Sequence, residues 1–116
     1  MVRPTSEIDV LARVLDAANL RHQAIAQNVA NVNTPGYRPI SIAFENDLEK
    51  ALKNNSSVKQ VMPRLVDAGG TSRDDGNSVD IDKEMGQLSK NGLLFAAAAQ
   101  ILASRLASLR SAIAGR

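Results

Sequence analysis

The 116-residue chain has no cysteine and no tryptophan, one tyrosine, two phenylalanines and one histidine. Without cysteine there is no disulfide framework, no thiolate metal site and no cysteine nucleophile. A single histidine, His22, rules out a multi-histidine metal site and leaves no second histidine for a Ser/His/Asp triad. No metal or cofactor is therefore expected, and no enzyme, since no convergent polar site is visible. The longest unbroken apolar run, Leu93 to Ala99, is seven residues. A membrane crossing needs about 20, so no direct span is expected. The first residues, MVRPTSEIDVLARV, carry neither an apolar core segment nor a small-residue cleavage site, so no cleavable secretory signal is read there. The net charge of +2 comes from scattered Lys and Arg. A nucleic-acid footprint needs clustering, and none is expected as a partner.

What is present is apolar content of an ordinary globular level, 44%, drawn from Leu, Ile, Val and above all Ala. Small side chains bury little area at roughly 25 cal/mol per Å². A single chain of this size is then marginal against its conformational entropy, which points to assembly with other chains.

The apolar positions are spaced regularly. Ile8, Leu11, Leu15, Ala18, Ile25, Val29 and Val32, with His22 filling the remaining place, alternate by three and four residues. Ile81, Met85, Leu88, Gly92, Phe95, Ala99, Leu102, Leu106, Leu109 and Ile113 do the same over ten positions. That alternation is the heptad signature of a helix holding one stripe against a partner. It predicts an all-α chain in which a helix over 6–33 pairs with one over 80–114 as a coiled-coil-like hairpin. Thr5 or Ser6 and Asp80 are the expected caps, with Glu7, Asp9, Asp82 and Glu84 at the positive helix ends. Small residues on the other faces of the second helix, such as Ala103, Ala107 and Ser111, leave room for further helices.

Between the helices, 34–79 reads as a turn and an irregular segment. It holds a short amphipathic helix over 43–53 with Phe44, Leu48, Ala51 and Leu52 on one side, and a stretch over 58–66 that can be extended but is interrupted by Pro63. The run DAGGTSRDDGNS from Asp67 to Ser78 reads as a flexible linker. Its acids miss the calcium-loop spacing, because Gly76 directly follows Asp75.

The most informative segment is Asn28-Val-Ala-Asn31-Val-Asn33-Thr34-Pro35-Gly36-Tyr37. Two asparagines three apart lie on one helix face just before a break. Asn can satisfy carbonyls orphaned at a helix end, and Gly36 can take the positive φ that turns the chain aside. The string ANVNTPGY, about 30 residues from the start, resembles the hallmark of the bacterial flagellar axial proteins, the rod, hook and related subunits. The terminal heptads resemble that family's paired terminal helices, and together these ends make about two thirds of the chain. The small size and Val79-Asp-Ile-Asp-Lys-Glu-Met85 look most like a short, proximal rod subunit, with its short sibling as the nearest alternative.

The resemblance implies a structural subunit of the rod that crosses the periplasm and transmits torque for motility. Its export would run through the flagellar type III apparatus. Its partners would be other copies, other rod proteins and the adaptor between membrane ring and export gate at the rod base. Asn28, Asn31, Asn33, Thr34, Pro35, Gly36 and Tyr37 would be the assembly motif, and the two heptad stripes the packing seams. The competing reading is a soluble coiled-coil regulator or export chaperone.

Overall fold

A computed structural model describes residues 7–115. The elements run in the order α1 (Glu7–Ala30), β1 (Ile40–Ala43), α2 (Glu45–Lys53), β2 (Arg64–Asp67) and α3 (Ile81–Ala114), with a 3₁₀ turn at Val58–Gln60. The expected caps Thr5 and Ser6 lie outside the described residues. Asp80 caps α3 as read, its carboxylate accepting from the amides of Asp82 and Lys83. The molecule is long and thin, 63 × 31 × 14 Å, because α3 alone has 34 residues.

The all-α expectation is corrected by a small antiparallel sheet that pairs Ile40 with Asp67, Ser41 with Val66, Ile42 with Leu65 and Ala43 with Arg64. Ile-Ser-Ile-Ala alternates with the strand period, and Pro63 sits just ahead of β2, where its missing N–H costs no ladder bond. The sheet turns Ile42 inward to a compact cluster with Ala17, Ala24, Phe44, Ala51, Val58 and Val61, flanked by Val10, Val14 and Leu48. Helix α2 starts two residues later than expected, at Glu45; Phe44, just ahead of it, is buried and Leu52 is exposed.

Helix α1 packs on this cluster with one side and on α3 with the other, antiparallel. Glu7 pairs with Arg105 at 3.1 Å, the Ala18 carbonyl accepts from Asn91 Nδ2 at 2.8 Å, and Asn28 meets Glu84 at 3.1 Å. The face of α3 turned to α1 thus carries the polar column Glu84 and Asn91 together with Ala98, all buried. Ala17 and Ala18 on α1 permit the close approach. The expected seam lies one column over. Leu88, Ala99 and Leu102 are half-buried, while Ile81, Met85, Phe95, Leu106, Leu109 and Ile113 are exposed, the last by 80%. On α1, Ala18 and Ile25 are buried, Ile8, Leu11, Leu15, Val29 and Val32 are half-buried, and His22 is exposed.

Nine of the thirteen large exposed apolar side chains among the described residues are on α3. The helix is in fact long and apolar enough to cross a membrane by length and composition, with 6% of its most apolar window buried. An isolated hairpin would turn those side chains inward; here they lie uncovered to either side of the column that meets α1.

Candidate functional site

The sharpest geometry lies where α1 ends. Helix α1 stops at Ala30, three residues short of expectation, because Asn31 folds back on it. Asn31 Nδ2 donates to the Gln27 carbonyl at 2.8 Å, and Asn31 Oδ1 accepts from the Thr34 hydroxyl at 3.1 Å. Gly36 then takes φ +74, and Tyr37 N–H closes the turn on the Thr34 carbonyl at 3.2 Å. A β-carbon is disfavoured at that φ, which is why glycine stands there. Asn33, Thr34 and Pro35 are exposed on the outside of the turn.

Asn28 does something the sequence did not suggest: it leaves its own helix and pins β1. Its Nδ2 donates to the Ile40 carbonyl at 2.8 Å and to Glu84 Oε2 at 3.1 Å. Its Oδ1 accepts from Ile40 N–H at 2.9 Å and from the Tyr37 hydroxyl at 3.0 Å. An amide side chain has two donors and about two acceptor sites, so Asn28 is fully used. It occupies the edge of β1 as a neighbouring strand would. Burial raises the Tyr37 hydroxyl above its ordinary value, the Glu84 carboxylate adds to the rise and a hydrogen bond with Gln27 opposes it, so the phenol stays a neutral donor.

The run expected to be a flexible linker wraps this corner instead. Asn77 is wholly buried and donates from Nδ2 to the carbonyls of Asn31 at 2.8 Å and Thr34 at 2.6 Å. Its Oδ1 accepts from Val79 N–H at 2.8 Å. Arg73 donates to the carbonyls of Val32 and Val79. Two backbone bonds complete the wrap, from Gly36 N–H to the Asp75 carbonyl at 2.9 Å and from Ser78 N–H to the Tyr37 carbonyl at 3.1 Å. Gly76, at φ +82, lies against Gly36 so closely that a β-carbon on it would sit 3.3 Å from Gly36 Cα. Carbonyls at and just beyond the helix end thus gain further donors from side chains more than 40 residues away in sequence.

Two exposed ion pairs brace the sheet. Arg38 meets Asp67 at 2.7 Å and Arg64 meets Asp47 at 2.9 Å, holding both carboxyls below their ordinary range.

The three largest fully buried side chains are Val58, Asn28 and Asn77. Two of the three are asparagines at one corner, each fully committed to backbone or to a neighbour. Burying polar groups this deeply is tolerated only when they are hydrogen-bonded, and in return it specifies one geometry. The arrangement holds a shape; among the described residues no group of three or more His, Cys, Asp or Glu could hold a metal ion.

The profile of a family described as "Flagella basal body rod protein" matches residues 8–38, which span α1 and the turn. The sequence is 32% identical to a flagellar basal body rod protein FlgB of Borrelia hermsii, over 91% of this chain and 94% of that protein. It is 28% identical to the protein of the same name from Bacillus subtilis, over 93% of each. The corresponding protein of Salmonella typhimurium is 32% identical, over 86% of this chain and 89% of its own.

Proposed function

The chain belongs to the family of flagellar basal body rod proteins named FlgB, and from that membership we propose that it builds the proximal rod by helical assembly and transmits torque. It is a structural subunit of the flagellar basal body. In the proposal, 1–33 and 80–116 form its axial core and 34–79 the connecting segment that leaves it. The corner around Asn28 and Asn77 sets the angle at which the chain departs, with Asn31, Asn33, Thr34, Pro35, Gly36 and Tyr37 as the assembly motif.

The observation that carries this reading is the uncovered apolar surface of α3, with nine large side chains exposed along one helix. Protein neighbours fit that surface better than lipid. Helix α3 is tied from Glu84 to Arg105 to α1, whose outer side carries Asp16, His22, Gln23 and Gln27, all exposed. A spanning α3 would carry those polar groups into hydrocarbon, which is costly. The seams Ile81, Met85, Phe95, Leu106, Leu109 and Ile113 then serve contacts between chains. Its partners are other copies, other rod proteins and the adaptor at the rod base, reached within the periplasm after export by the flagellar type III apparatus. No catalytic, metal or cofactor role is assigned.

Deleting the gene tests the reading. It predicts non-motile cells whose basal bodies, in electron micrographs, keep the membrane ring and lack rod and hook. Intact flagella in the deletion strain would overturn it.

A further inference from the structure

Resting on the rod-subunit reading, we propose that α1 of a second copy packs along the open side of α3, setting Asp16 and Asp9 of that copy against Lys83 and Lys90. Lys83 and Lys90 are exposed, seven residues apart on one face of α3, and neither has an ion pair among the described residues. With Gln87 and Leu94 they edge a cleft of about 500 Å³ that is walled by Ile25 and Ile42. Of the other charges at the cleft, Arg21 pairs with Glu45 at 2.8 Å, and the Glu84 carboxylate is buried against the Asn28 amide. Among the described residues, the exposed charges left without a partner on this side are therefore the two lysines, and the cleft keeps a net positive charge.

Helix α1 carries the complement. Asp9 and Asp16 are also seven residues apart, which on either helix is roughly 10 Å. Asp9 has no ion pair among the described residues, and Asp16 has only a surface contact with Arg13 at 2.8 Å, of the kind that exchanges at little cost. These acids cannot reach the lysines of their own chain. Within the chain Glu7 faces Arg105, Ala18 faces Asn91 and Asn28 faces Glu84. Asp16 thus lies about ten to twelve residues along α3 from Lys83, roughly 15 to 18 Å.

Direction follows from polarity. In a head-to-tail assembly every copy points the same way, so the α1 of a neighbour runs antiparallel to α3 as its own α1 does. That orientation matches Asp16 to Lys83 and Asp9 to Lys90. The ion pairs would set register, and the exposed Leu94 and Ile101 beside them would supply burial.

Because the chain has no cysteine, the contact can be trapped directly. The full chain carrying Asp16→Cys and Lys83→Cys, as the only copy in its native cell, is treated with a short thiol-to-thiol cross-linker. The expected result is covalent dimers and higher ladders, about tenfold stronger than with Asp16→Cys and Lys90→Cys, one step out of register. In parallel, Lys83→Asp with Lys90→Asp, or Asp9→Lys with Asp16→Lys, should each cut motility, and coexpressing the two reversed chains should restore it. Absence of ladders together with failure of mutual rescue overturns this contact while leaving the rod reading intact. Motility that does not depend on the chain at all overturns the rod reading itself.

Discussion

Replacing Asn28 with aspartate lowers the free energy of unfolding by about 3 to 5 kcal/mol at neutral pH, the largest effect expected of any single isosteric change in this chain. The side chain keeps its volume and loses both donors. The Ile40 carbonyl is left without its partner, and the new carboxylate stands where Nδ2 now meets Glu84 at 3.1 Å in a buried site. Like charges at that range, without water, raise the pKa of the pair in the folded state. The sign of the pH dependence follows. A raised folded pKa contributes stability that is fully present below the unfolded carboxylate value, about 4, and is lost as pH rises through the folded value. The variant should therefore recover part of its stability on acidification from neutral pH, relative to the parent chain. Thermal unfolding followed by circular dichroism between pH 4 and 8 checks both statements. A variant as stable as the parent at pH 7 would show that Asn28 does not hold the corner.

Replacing Asn77 with alanine costs about 2 to 4 kcal/mol. The change removes two donor bonds, to the carbonyls of Asn31 and Thr34, and the acceptor of Val79 N–H. All three sit at a residue with no solvent exposure, so water cannot replace what is lost. Arg73→Ala at the same corner should cost less, because that guanidinium is half-exposed and its bond to the Val79 carbonyl is long, 3.4 Å. Denaturant midpoints for the two variants separate these cases. The Asn77 effect should also appear locally, as faster amide exchange at Gly36, whose N–H bonds to Asp75 in the wrapped segment. Equal, small losses at both positions would mean that 73–79 is not wrapped on the turn in solution.

Most of the local structure was legible from local chemistry. Asp80 as the cap of α3, the backbone turn at Gly36, and Asn31 closing the helix end all act over four residues or fewer, within reach of a pattern argument. The heptads located both helices. They did not show which column of α3 meets α1, because periodicity marks an apolar stripe without saying whether its partner is the same chain or another. Glu84 and Asn91, seven apart in an apolar helix, were the available signal that a polar column faces inward. Asn77 was missed for a different reason. Its partners lie 43 and 46 residues away, and a Gly-, Asp- and Ser-rich context reads as solvated chain unless a buried cap is being sought. The extended reading of 58–66 touched β2, but β1 and its pairing were missed because four-residue strands flanked by a helix and a proline carry little pattern of their own.

Together these contacts divide the molecule. The corner has the Asn28 and Asn77 side chains answered within one chain and packs beside the Phe44 cluster. The outer part of α3 has large apolar side chains and no cover. The central claim is that the single chain folds around the corner, and that α3 completes its burial only against other chains. Amide hydrogen exchange on the dilute chain and on assembled rods tests this directly. The account predicts strong protection at 28–42 and 76–92 in both samples, with 103–114 exchanging fast in the dilute chain and slowly in rods. Equal protection of 103–114 and the corner in the dilute chain would contradict it.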